Sequence, residues 1–177
     1  VLAIMALVDA ACRATKERAQ FAYLAPFRGQ AKTVAWDYLK NFVTKIPGVA
    51  INEGELWVQL PNQARVRLFG ADNPDSLRGI YLDGIAIDEV ADLKPQVWGE
   101  IIRPALADRK GWALFIGTPK GINLLSELYY AALTDPDWYA GLYRAGDTGA
   151  LDPSELDLAR KSMTENQYRQ EFECDFS

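Results

Sequence analysis

At 177 residues, 49% hydrophobic and 24% charged, the chain is long enough for one well-packed globular domain and too short for two comfortable ones. It contains no histidine, which excludes histidine-based triads and most zinc chemistry and leaves catalysis to Asp, Glu, Lys, Arg, Ser and Thr. A net charge of −5 lacks the basic footprint of a self-sufficient nucleic-acid binder, so contact with DNA would need a local patch or an assembly. Its apolar stretches are interrupted before the length a bilayer crossing needs, and no signal-peptide order of basic, apolar and small residues opens the chain. Together with two cysteines, Cys12 and Cys174, spaced for neither a zinc site nor a disulfide scaffold, this gives the expectation of a soluble, unexported, reduced protein with no membrane contact.

In chain order, VLAIMALVDAACRAT places Leu2, Met5, Ala6 and Val8 at helical spacing and predicts a mostly buried helix that begins without a cap. QFAYLAP reads as a strand closed by Pro26, and GQAKTVAWDYLKNFVTKI as a helix on the period of Val34, Tyr38, Leu39, Phe42 and Ile46. VAINEGELWVQLP and ARVRLFG read as short strands around an Asn-Glu-Gly turn, and ADNPDSLRG as a loop or a single helical turn. GIAID is a buried strand. KPQVWGEIIRPALADRK follows as a helix that Pro104 should kink, then the strand WALFIG and the helix INLLSELYYAAL. WYAGLYRA alternates as an edge strand. DPSELDLARKSM and TENQYRQEFECDF each open with a capping-box pattern, Asp152 to Glu155 and Thr164 to Gln167. The order of elements predicts an α/β domain with a largely parallel sheet covered by helices on both faces.

The chemistry is concentrated in GIAIDEVADL, residues 84 to 93, where an apolar strand ends in Asp88 and Glu89. Ligands of such sheets bind beyond the carboxyl ends of the strands, so both carboxylates are aimed at that crevice. The pattern is that of a Walker B element, in which the first acid holds Mg²⁺ and the second polarises an attacking water; the competing reading is a cap for the next helix. One strand later, Gly117, Thr118, Pro119 and Gly121 form a polar turn. Its hydroxyl would lie near the acids and could sense a γ-phosphate, unless the turn is an ordinary strand-to-helix connection. A phosphate loop of the G-x-x-x-x-G-K-[ST] type is missing. PFRGQAKT imitates it but carries Pro26 and Ala31 where the two glycines belong. The uncapped first helix is therefore expected to follow a phosphate loop, and a first strand, lying before Val1.

Taken together, ADNPDSLRGIYLDGIAIDEVADL followed by GTPKG, with YLAPFRGQAKTVAWDYLK and YRQEFECDFS, resemble blocks of the ATPase domain of the large terminase subunit of tailed phages, and their combination is more specific than any one alone. The resemblance covers nearly the whole chain. It implies a P-loop NTPase-like fold of the additional-strand, catalytic-Glu type. It also implies ATP and Mg²⁺ as cofactors, hydrolysis coupled to translocation of double-stranded DNA, and work in the cytoplasm of an infected bacterium. The implied partners are DNA, a portal protein, a small terminase subunit and further copies in a ring on the capsid. By motif, Asp88 becomes the Mg²⁺ acid, Glu89 the catalytic base, Thr118 with Gly117 the coupling motif at the nucleotide, and Arg78 an arginine acting on a neighbouring subunit's γ-phosphate. The bland alternative for Arg78 is a surface pair with Asp72 or Asp75.

The expected organisation is a single partial ATPase domain over 1–177, with a core over 1–145 and a helical segment over 146–177 leading to an absent nuclease domain. As given, the chain is expected not to turn over ATP. A helicase-like translocase and a non-catalytic P-loop scaffold are the alternatives. Arg28, Lys32 and Lys120 are candidate DNA-phosphate contacts. Trp36, Tyr38, Trp57, Trp98, Trp112, Tyr129, Tyr130 and Trp138 are expected in the core, and Asp72, Asp75 and Asp83 in a solvated loop and its surroundings.

Overall fold

The computed structural model describes residues 1–176; Ser177, the last residue of the YRQEFECDFS block, lies outside them. The chain divides into two compact units, Val1–Ile116 and Gly117–Ser177.

The first unit is built on a six-stranded sheet in the order β2-β3-β4-β1-β5-β6. Its strands are β1 (Gln20–Ala25), β2 (Ala50–Asn52), β3 (Trp57–Gln59), β4 (Arg65–Gly70), β5 (Gly84–Ile87) and β6 (Trp112–Phe115). The four strands β4, β1, β5 and β6 are parallel, and β2 and β3 extend the sheet as an antiparallel hairpin on β4. A central strand buried on both faces cannot alternate in polarity. Accordingly β5 is buried at every position and β1 at all but Gln20. Tyr23, Val66, Leu68 and Ala86 face one core, shared with Ile4, Leu7, Trp36, Leu39 and Val43. Leu24, Ile85 and Ile87, offset by one residue, point to the other face and are buried there. The expected fold class is thus the observed one.

Helix α1 (Leu2–Arg13) packs on β1, β4 and β5 through Ala3, Ile4, Leu7, Val8 and Ala11. The buried face is rotated from the expected one. Leu2 and Met5 are exposed, because the 4-7-8-11 stripe is the one that meets the sheet. After β1 the chain enters α2 (Arg28–Ala31), widens into a π-turn over Lys32–Trp36 and continues as α3 (Asp37–Val43). The π-turn sits where Trp36 is swung into the core, with its indole N–H donating to Glu53. The segment before α4 (Arg103–Ala107) is also a π-turn, Val97–Ile102. Pro104 has no N–H to give the carbonyl four residues back, and the wider turn absorbs the expected kink.

Two glycines set close approaches. A Cβ on Gly70 would stand 2.1 Å from the backbone nitrogen of Arg28, and one on Gly84 would stand 2.4 Å from the Trp112 ring, its register partner on β6.

The second unit carries α5 (Leu124–Ala132), α6 (Ala145–Thr148), α7 (Pro153–Ser162) and α8 (Glu165–Glu173). Thr164 and Gln167 form the expected capping box. Asp152 caps α7 by accepting from the Ser154 N–H, in a tighter turn than the box expected with Glu155. The edge strand expected over WYAGLYRA is not formed. Residues 138–144 are irregular, and the Tyr139 and Tyr143 hydroxyls bond each other at 2.8 Å. Period-two alternation does not by itself make a strand, and among the described residues every strand lies in the first unit.

The aromatic expectation is also corrected. Of the eight residues expected in the core only Trp36 is fully buried, whereas Tyr38, Trp112, Tyr130 and Trp138 are exposed; Phe21, Tyr23, Phe69 and Tyr168 are the buried rings.

Candidate nucleotide site at the carboxyl edge of the sheet

In the register of the parallel strands, Gly70, Ala25, Ile87 and Phe115 all end at one edge of the sheet. Asp88 is the first residue beyond β5, and its N–H is still tied to the Leu24 carbonyl of β1 at 2.8 Å. The chain then turns through Glu89 in the left-handed region, φ 50°, and the Val90 N–H bonds the Ile116 carbonyl at 3.1 Å. A non-glycine residue there costs about 1–2 kcal/mol, so the turn is held against local preference by its two flanking bonds. Neither acid caps the short 3₁₀ segment Val90–Asp92 that follows. Instead Asp88 Oδ1 accepts the Glu89 N–H at 3.1 Å. Both acids are half-buried.

Asp88 opens onto a cleft of about 340 Å³ lined by the first turn of α1 together with Tyr23, Val34, Ala35 and Ile116. Glu89 lies one residue past that lining. Leu2, Ala3 and Ile4, in the first turn of α1, bring backbone N–H groups and the positive end of the helix dipole to the same cleft. A helix N-terminus and an acid lining one cleft suit an anion that carries a cation with it.

Tyr23 is a site residue that sequence reasoning missed. Its ring is 2% exposed and its hydroxyl donates to Asp88 Oδ2. Burial first, then that bond and the charges of Asp88 and Glu89, push the phenol far above its ordinary pKa, which keeps it a donor. The bond is invisible along the sequence, since it depends on the register that sets Tyr23 against Ala86.

Arg78 follows the 3₁₀ turn Pro74–Leu77; it is exposed and pairs with Asp75 at 3.2 Å, the bland partner named for it. Arg28 and Lys32 are exposed in the segment leaving β1 at the site edge. The Arg28 N–H bonds Asp72 at 3.0 Å and its guanidinium bonds the Gly54 carbonyl. PFRGQAKT forms a helix from Arg28, with Ala31 buried, and so is not a phosphate loop. Gly117, Thr118 and Lys120 belong to the second unit, in the loop before α5; Thr118 is half-buried and Lys120 exposed.

Asp83 is a correction. It is not a solvated carboxylate but a buried one, 7% exposed, at the opposite end of β5 from Asp88. It accepts from Arg109 at 3.1 and 3.3 Å and from the Gln20 N–H at 2.9 Å, and it pairs with Lys16 at 3.2 Å. Burial alone would raise its carboxyl, but Arg109, Gln20 and Lys16 outweigh it and hold the pKa below the ordinary carboxylate value.

A mixed sheet with four parallel strands, an acid pair just past the carboxyl end of the inner strand β5 and a helix N-terminus opening on the same cleft make this an α/β fold with a ligand-sized cleft at the carboxyl edge of its sheet. No protein-family model matches the sequence. The chain is 31% identical over 152 residues to the large subunit of the terminase of Escherichia phage T5, covering 81% of this chain and 34% of that protein. Its fold matches the ATPase domain of the Thermus phage P74-26 large terminase with a TM-score of 0.83 at 24% identity, over 97% of this chain and 81% of that one. It also matches the large terminase of a thermophilic bacteriophage in complex with ATP-γ-S, with a TM-score of 0.75 at 15% identity, over 99% of this chain and 43% of that one. The chain is thus a relative of phage large terminase subunits and has the fold of their ATPase domain; it spans about a third of the length of the T5 relative. Among the described residues no helix is long and apolar enough to cross a membrane.

Proposed function

We propose that this chain is part of the ATP-hydrolysing, DNA-packaging motor of a phage large terminase subunit. The observation that carries the reading is Asp88, just past the end of the inner strand β5, lining one cleft with the first turn of α1. The donor set fits Mg²⁺ brought in with a nucleotide. Among the described residues no cluster of three or more metal-ligating side chains exists, and Mg²⁺ on a nucleotide asks for only one or two carboxylates, with water and phosphate oxygens completing its shell. When bound, the ion would neutralise charge on the triphosphate.

In this reading Asp88 holds the metal-bound nucleotide, the first turn of α1 donates to phosphate oxygens, and Glu89 takes the proton of the attacking water. Thr118 with Gly117 senses the γ-phosphate and couples its loss to DNA movement. Arg78 serves a neighbouring subunit: its exposure and its easily exchanged pair with Asp75 support that role. Double-stranded DNA, a portal protein, a small terminase subunit and further copies in a ring are the proposed partners, in the cytoplasm of the infected host.

The test is Mg²⁺-dependent ATP hydrolysis by the intact large subunit. Glu89→Gln is expected to lower turnover by about 10²–10⁴-fold while nucleotide binding persists. Undiminished hydrolysis in that variant, or an intact subunit that neither binds nor hydrolyses ATP, would overturn the reading.

A further inference from the structure

We propose that Tyr23 is a positioning residue for Asp88, presenting the carboxylate to the metal-bound nucleotide in one fixed orientation. The inference rests on the nucleotide reading above, and its geometry comes from β1 and β5. Tyr23 is level with Ala86 in the register, so its ring reaches along the neighbouring strand to the acid two residues on. Both oxygens of Asp88 are then engaged: Oδ2 accepts from the Tyr23 hydroxyl and Oδ1 from the Glu89 N–H. A carboxylate offers about four lone-pair positions, so two remain for water or a cation, and the two bonds fix the direction in which they point. Without Tyr23 the carboxylate would keep only the bond to its neighbour's backbone and could rotate at the strand end.

Packing does not ask for the hydroxyl. Tyr23 belongs to the same apolar cluster as Ile4, Leu7, Trp36 and Leu39, and a phenyl ring would fill its space without a polar group to satisfy. The hydroxyl is placed instead where the cleft begins, since Tyr23 and Asp88 both line it. Outer-shell partners that orient a metal-binding group are commonly worth about 10–100-fold in metal affinity or activity.

Tyr23→Phe in the intact large subunit keeps the ring and removes the bond. The Mg²⁺ concentration giving half-maximal hydrolysis at saturating ATP is expected to rise at least tenfold. Binding of Mn²⁺ together with ATP-γ-S, read by electron paramagnetic resonance, should weaken by a similar factor. Nucleotide binding in EDTA, which a general loss of structure would weaken, is expected to be unchanged. In an Asp88→Asn background Tyr23→Phe should bring no further change in Mn²⁺ binding. Unaltered metal dependence in Tyr23→Phe, or an equal effect with and without Asp88, overturns the proposal. If Asp88→Asn itself leaves metal binding and hydrolysis intact, the nucleotide reading falls as well; if Asp88→Asn weakens both while Tyr23→Phe changes neither, only the role of Tyr23 falls.

Discussion

Glu89 is the residue at which local preference and the proposed function are opposed. The chain must reverse sharply after β5 to carry a second acid past the first, and the left-handed conformation at φ 50° makes that turn in one residue. Glycine would adopt it without the Cβ clash, so Glu89→Gly is expected to leave the protein as stable as the parent or up to about 1 kcal/mol more so, although the side chain's own interactions are lost. On the proposed function, the same variant of the intact large subunit is expected to lose ATP hydrolysis. A rise in urea midpoint at constant m-value, alongside lost turnover, would show strain retained for function; a fall of more than about 1 kcal/mol would contradict it. Asp88 and Glu89 stood out in the sequence as two acids closing an apolar run, and both lie just past the carboxyl end of β5. Tyr23 did not stand out, because its partner is 65 residues away in sequence and adjacent only once β1 and β5 are in register.

Elements were legible in proportion to how far their pattern was fixed by local burial. β1, β4, β5 and β6 appear where the sequence placed them, and the reason is clearest for β1 and β5, which are flanked by two strands each and buried almost throughout. The two π-turns were not foreseen, because each answers a tertiary or covalent demand: the inward swing of Trp36, and the missing N–H of Pro104. The strand expected over WYAGLYRA is not formed, since alternation alone supplies no pairing partner. Gly70 offers a test at this scale, because β4 ends there against the backbone of the segment leaving β1. Gly70→Ala forces Arg28 and Asp72 apart and is expected to destabilise the fold by about 1–3 kcal/mol, seen as a lower urea midpoint. An unchanged midpoint would mean that the segment before α2 yields freely.

Across the first unit, Asp83 joins segments distant in the chain. Lys16 follows α1, Gln20 opens β1, Arg109 follows α4, and all three converge on one carboxylate at the edge of the sheet opposite the candidate site. Removing one partner of a buried ion pair costs about 3–5 kcal/mol, and because Lys16 is half exposed Asp83→Asn is expected near the lower bound at neutral pH. The pKa of Asp83 is lower folded than unfolded. Its stabilisation is therefore complete above the unfolded value of about 4 and is lost as pH falls through the folded value. Urea titrations across acid pH should show parent and Asp83→Asn converging below about pH 4 and parallel above about pH 5. Curves that stay equally separated down to acid pH would remove Asp83 as the source of the acid sensitivity.

By itself the sequence determined the class of fold, the order of the elements and the acid pair, because burial period and the ends of apolar runs are local properties of a chain. Tertiary structure decided which rings are buried, that Asp83 is a structural ion-pair centre, that WYAGLYRA remains unpaired and that Tyr23 reaches Asp88. Each of these depends on the register and partners of strands far apart in the chain, and no spacing within a single segment records which strand will lie beside it.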